Sequence, residues 1–268
     1  MKKYILAIII IIAVGVVWKL YEIRHPQGIK VEVPVAEEHK KFMDKGIDQD
    51  LVVKEIIEEP VVDVTIEEDT EVIEKEPEKI NSINLAVPFT SQAPTANWDQ
   101  PFQDACEEAS LLMVDYYYRN KEMPSKEAVE DIFIKMIDWQ EEFMNGDYDI
   151  TIEETGQLAK GFFGYDSKII TDLTATKIRN LLREGFPVIV PANGHILINH
   201  NFTGDGPLYH MLVVKGFVDD KFITNDPGTR NGADFIYTEA NLMNAIADWD
   251  NEKALTIGSK VGLILIDN

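Results

Sequence analysis

The sequence predicts an α+β domain, with a helical part first and an antiparallel sheet after it. Two observations carry this. Between residues 105 and 185, apolar residues recur at helical intervals. From Val188 onward the period changes, and the apolar runs become short and rich in β-branched residues.

The elements follow in order. Asp104 and Glu107 have capping-box spacing, and Ala109, Leu112, Met113, Tyr116 and Tyr117 follow at helical intervals, so a helix is expected over about 105–118. Ser125 opens a second helix with Val129, Ile132, Phe133 and Met136 on one face. Thr151 and Glu154 cap a third, expected to end near Gly161. Thr174 opens a fourth, stopped by Gly185 and Pro187. Residues 188–190, 211–217, 221–224 and 261–266 read as strands, with Asp219 and Asp220 turning a hairpin. A late helix is expected over 240–249, and no internal repeat is found.

The 268 residues suffice for one good core plus an appendage. Residues 83–268 are read as the folded domain, preceded by two segments of other character. Lys2 and Lys3 precede an uncharged, isoleucine-rich run over 4–18, and Lys19 follows it. The run is short for a span of roughly 17–25 residues, but Lys19 can snorkel to the interface, and Tyr4 and Trp18 suit the interfacial belts. Small residues suited to cleavage do not follow. Residues 1–25 are therefore expected to be an uncleaved transmembrane signal anchor. Large domains translocate largely regardless of charge, so the bulk of this single-pass chain is expected outside the cytoplasm. Residues 26–82 carry 17 acidic residues against 7 Lys and are punctuated by Pro34, Pro60 and Pro77. That composition predicts an extended acidic stalk or linker, because little apolar surface is available to offset the entropy of ordering.

Charge removes one class of partner. Against 25 Lys and Arg stand 47 Asp and Glu, a formal net of −22. Phosphate backbones need clustered cations, so nucleic acid is not expected. The single cysteine, Cys106, excludes an internal disulfide and a multi-thiolate zinc site. It is either a small buried hydrophobe or a reactive thiol.

Its position favours the thiol. Cys106 falls in the first turn of its predicted helix, where unpaired N–H groups and the helix dipole favour a thiolate. A nucleophile needs a base. His25 and His39 lie in the two segments that precede the expected folded domain. His210 begins the apolar strand beside a loop containing Gly204 and Gly206, and the next strand ends at Asn225-Asp226-Pro227-Gly228. Antiparallel pairing would bring Asp226 near His210, where it could fix the imidazole tautomer. His195 and His200 compete as bases. A three-histidine metal site is weak, because the spacings suit neither a helix face nor a strand.

Three blocks of sequence add to this. They are Val87-Pro88-Phe89-Thr90-Ser91-Gln92-Ala93-Pro94 with Cys106-Glu107-Glu108-Ala109-Ser110, then the run Tyr209 to Phe217, then Asn225-Asp226-Pro227-Gly228-Thr229. Together they resemble the papain-like cysteine peptidases typified by the bacteriocin leader peptidases, and more closely the stand-alone branch of that family. The resemblance covers roughly 83–268. It implies a papain-like fold with Cys106 as nucleophile, His210 as general base, Asp226 as orienting group and a glutamine as oxyanion donor. Gln92, in the first block, is preferred for that role over Gln100, which stands six residues before Cys106. Two departures matter. Glu107 stands where the leader peptidases commonly have glycine, and no transporter domain is present, so export of a bacteriocin is not implied.

The expected function is a membrane-anchored cysteine peptidase that hydrolyses a peptide or protein amide through a thioester at Cys106, with neither cofactor nor metal. Its partners would be that substrate and, through the N-terminal helix, the membrane. Two other readings stay open: another acyl-transfer enzyme, such as an amidase or transglutaminase, and a non-catalytic surface binding module on the same fold.

Overall fold

The computed structural model describes residues 28–43, 49–58, 81–144, 148–250, 252–253 and 255–266. The apolar run over 4–18 and its membrane reading lie outside them. Among the described residues no helix is long and apolar enough to cross a membrane.

The helical part begins with α1 (Lys40–Met43) and α2 (Gln49–Glu58). After strand β1 (Ser82–Asn84) come α3 (Cys106–Tyr118) and α4 (Lys126–Phe143). Helix α5 (Ile152–Leu158) runs on into a π-helical turn over Ala159–Phe163. Strand β2 (Asp166–Ile170) and helix α6 (Ala175–Arg183) lead to β3 (Val188–Ala192), β4 (His210–Val218), β5 (Lys221–Asn225) and β6 (Phe235–Thr238). The described chain closes with α7 (Glu239–Ala245), β7 (Asp248–Asp250), β8 (Leu255–Ile257) and β9 (Gly262–Ile266).

Three helices start where their sequence signals place them. Ser125 and Thr174 cap α4 and α6 through their side chains, and Thr151 with Glu154 forms a reciprocal capping box on α5. The stretch from α5 ends at Gly164, in the left-handed region, rather than at Gly161. Gly161 lies instead under Trp139, whose ring leaves no room for a β-carbon. The late helix stops at Ala245, and Trp249 belongs to β7.

A seven-stranded antiparallel sheet runs in the order β2-β9-β3-β4-β5-β6, with β1 also pairing β4. β4 is the axis. Its first half pairs β3 from Ala192↔His210 to Val188↔Val214, and its second half pairs β1 from Asn84↔Gly216 to Ser82↔Val218. Gly216 permits the close approach, since a β-carbon there would stand 2.3 Å from the Ile83 carbonyl oxygen. On its other edge β4 pairs β5 across the hairpin at Asp219 and Asp220, with a bulge between Val214 and Gly216. Every residue of β3, and all but the last of β4, is buried. Such continuous burial means that both faces of the sheet centre are covered. Helices α3 and α6 both pack on β4.

The expectation of a solvated linker over 26–82 does not hold for its described parts. Glu37 forms a parallel bridge with Leu85, donating its N–H to Asn84 O (2.7 Å) and accepting from Ala86 N (2.7 Å). His39 is buried against the rings of Tyr117 and Tyr118. α2 packs on α6, with Val53 fully buried and Ile56 and Ile57 at the core edge. The acidic average conceals a helix whose Val53, Ile56 and Ile57 share the packed face.

Candidate active site

The segment before Cys106 differs from the capping box expected there. Phe102–Asp104 form a 3-10 turn, the N-cap is Ala105, and no side chain caps the helix. Asp104 accepts from Gln100 instead. Cys106 is still the first residue of α3, as its helix-start reading requires, but it is only 3% exposed.

Glu107 turns inward rather than back to the helix end. Its Oε2 accepts from Cys106 Sγ at 3.1 Å, and its Oε1 accepts from Ile150 N at 3.1 Å. Burial, followed by Glu107 and more weakly by Asp149 and Glu108, pushes the Cys106 thiol well above its usual range. Burial and the neighbouring carboxyls thus oppose the helix dipole, which favours the thiolate. Glu107 is itself pushed well up, by burial and then by Glu108 and Asp149. Burial lifts Asp149 to about 6 and Glu108 to about 7. The Cys106 end of α3 is thus a nest of carboxyls, most of them desolvated.

The sheet supplies the other half. His210 opens β4, and the pairing Val213↔Asn225 brings the residue after β5 beside it. His210 Nε2 lies 2.7 Å from Asp226 Oδ1, with both side chains buried. That bond leaves Nδ1 as the ring nitrogen free to exchange a proton. Asp226 Oδ1 also accepts from Gly228 N (3.0 Å), while Oδ2 accepts from Asn199 Nδ2 (2.8 Å) and Tyr237 Oη (2.6 Å). Burial alone would raise this carboxyl, but His210, Tyr237 and Asn199 together hold it below the usual range. Phe202 stands edge-on to the imidazole at 5.5 Å. A β-carbon on Gly228 would meet His210 Cε1 at 2.8 Å, so the Pro-Gly turn needs its glycine to admit the ring.

The structure therefore joins His210 to Asp226 directly and sets Cys106 on the helix that packs against the strand of His210. His195 and His200 are exposed, and His200 lies against Phe235. Gln92 is buried and directs its amide to the carbonyls of Phe102 (3.2 Å) and Gln103, fixing the turn before Cys106. Gln100 is exposed on Asp104. Sequence reasoning missed Asn199, Tyr237 and Asp149, which come from a loop, from β6 and from the α4–α5 connection. The short apolar run Phe235-Ile236-Tyr237 was the available signal for β6, in which Tyr237 pairs with Phe222 across the ladder. Among the described residues no group of His, Cys, Asp or Glu is disposed to hold a metal ion.

Residues 84–256 match the model of the Peptidase C39-like family. The chain belongs to that family. Its α+β architecture is accordingly the papain-like one, with a nucleophile helix ahead of an antiparallel sheet. The C39-like match takes in Cys106, His210 and Asp226 together. The chain is also similar to a crystal structure described as a candidate C39-like peptidase from Bacillus anthracis. That similarity has 17% sequence identity and a TM-score of 0.45, over 70% of this chain and 98% of that one. No curated protein matches the sequence.

Proposed function

We propose that this C39-like chain is a cysteine peptidase that cleaves a peptide or protein amide through a thioester at Cys106. The buried His210–Asp226 pair carries the reading, because it leaves Nδ1 of a tautomer-locked imidazole as the base on the strand that packs against the cysteine helix. The reaction starts from the Cys106 thiol, with His210 as its base. His210 takes the thiol proton as sulfur attacks the carbonyl carbon. The C–N bond then breaks, His210 returns the proton to the leaving amine, and the thioester remains. A water that gives its proton to His210 then attacks the thioester carbon; the C–S bond breaks, the acid leaves, and His210 returns the proton to the Cys106 sulfur. Gln92 serves the oxyanion by releasing one amide proton from a carbonyl of the preceding turn, together with first-turn N–H groups of α3 that lack intrahelical acceptors. The apolar run over 4–18 anchors the chain in a membrane, with the peptidase domain outside the cytoplasm.

The test is hydrolysis of a peptide library by the wild-type chain, Cys106→Ala and His210→Ala, each verified as folded by circular dichroism. Both variants should lose turnover by at least about 10³-fold. Full activity in His210→Ala with loss in His200→Ala would move the base. Transfer of the acyl group to an added amine, without hydrolysis, would favour a transglutaminase. Carbonate extraction and protease protection of cells test the anchor and its orientation.

A further inference from the structure

We infer that a small acidic pocket beside Cys106 receives the ammonium group of a substrate lysine, and so selects lysine at one position near the scissile bond. This rests on the peptidase reading for the word substrate, although the pocket itself does not depend on it. The pocket lies between the turn that ends in Asp104 and Ala105, immediately before Cys106, and one turn of α4. Glu108 and Gln140 form its floor, Asp104 and Glu141 its rim, and Ile137 and Tyr148 its walls.

The floor is what points to a ligand. Glu108 is 2% exposed and Gln140 is 3% exposed. Gln140 Nε2 donates to Glu108 Oε1, which ties α3 to α4. The remaining oxygens, Glu108 Oε2 and Gln140 Oε1, are buried and have no hydrogen-bond partner among the described residues. Buried acceptors rarely go without a donor. Here both belong to residues that line one pocket, together with Asp104 and Glu141. The donor they fit is small, because the space within is close to that of a single water molecule. An ammonium has that size and carries three protons, enough for both floor oxygens and one rim carboxylate. A guanidinium is planar and wider, with five donors in a fixed fork, and suits the space poorly. The four-carbon stem of lysine would lie along Ile137 and Tyr148, with the cation near the tyrosine ring. The net charge of −22 would draw a cationic peptide toward the chain.

The experiment titrates Nα-acetyl-lysine N-methylamide and its norleucine counterpart into the whole chain, following amide shifts by NMR. It is paired with a positional peptide library. The lysine amide should bind at least tenfold tighter than the norleucine amide. Glu108→Gln should reduce that difference to less than twofold. Glu141→Gln, at the exposed rim, should weaken lysine binding several-fold without disturbing the fold, which keeps the inference open to refutation if Glu108→Gln does not fold. Equal affinity for the two amides, binding of neither, or discrimination that survives in Glu108→Gln would overturn it. Discrimination without cleavage of any peptide would leave the pocket standing and remove the peptidase reading. Cleavage through Cys106 without lysine preference would do the reverse.

Discussion

Tyr237→Phe isolates one hydrogen bond in the support of the His210–Asp226 pair. The phenol donates to Asp226 Oδ2 at 2.6 Å and accepts from Asn199 Nδ2 at 2.9 Å. It stays protonated and able to donate, because burial and then Asp226 push its pKa well up. Removing the hydroxyl takes a donor from a fully buried carboxylate and leaves its ring packing intact. A hydrogen bond to a charged group contributes about 1.5–3 kcal/mol. At 2–4 °C per kcal/mol for a chain of this size, Tm should fall by roughly 3–12 °C. The loss should also depend on pH. The folded pKa of Asp226 lies below its unfolded value, so its contribution is present above the unfolded pKa of about 3.9 and is lost as pH falls through the lower folded value. Tyr237→Phe weakens that depression. Wild type and variant should therefore differ most at neutral pH and converge below about pH 4. Thermal unfolding by circular dichroism from pH 3 to pH 8 reads both effects. A Tm within 1 °C of wild type at pH 7, or a difference that grows toward acid, would refute the reasoning.

Four other expectations follow from the same contacts. Cys106 should alkylate with iodoacetamide more slowly at pH 7 than a free thiol, with the rate rising above pH 9, and Glu107→Gln should shift that rise to lower pH; faster alkylation than glutathione at pH 7 would contradict the desolvated thiol. A chain starting at Ile83 should unfold at markedly lower temperature than one starting at Gly28, because its loss strips Val53 and His39 from the core; equal midpoints would restore the linker reading. Gly216→Ala should cost at least about 1–3 kcal/mol in urea unfolding, since its β-carbon meets backbone of β1 rather than a movable side chain. Gln92→Ala should reduce turnover about 10²–10³-fold and Gln100→Ala only slightly, and the opposite order would transfer the oxyanion role to Gln100.

The His210–Asp226 pair was legible because one hairpin sets it. The turn at Asp219 and Asp220 fixes the register of β4 on β5, and the two residues fall at the same end of adjacent strands. Asn199 and Tyr237 were not legible, since nothing local ties a loop residue and a third strand to that carboxylate. Strand β2 escaped because it is half exposed and carries Ser167 and Lys168, so its pattern resembles a polar connection. The capping box at Asp104 failed because a 3-10 turn moves the N-cap to Ala105 and frees Glu107 to turn inward. The packing of His39 and of helix Gln49–Glu58 was hidden by averaging charge across the whole acidic stretch.

The nucleophile proposed here sits on a helix and its base on a strand roughly a hundred residues later in the chain. Neither layer holds both groups. Turnover would thus serve as a gauge of docking between layers. A partly denatured state could keep its helices and its sheet and still be inert once α3 had shifted off β4. In a urea series, activity should disappear before the far-ultraviolet signal does. The gap between the two curves would measure how tightly the helical layer is held to the sheet, independently of how stable either layer is by itself.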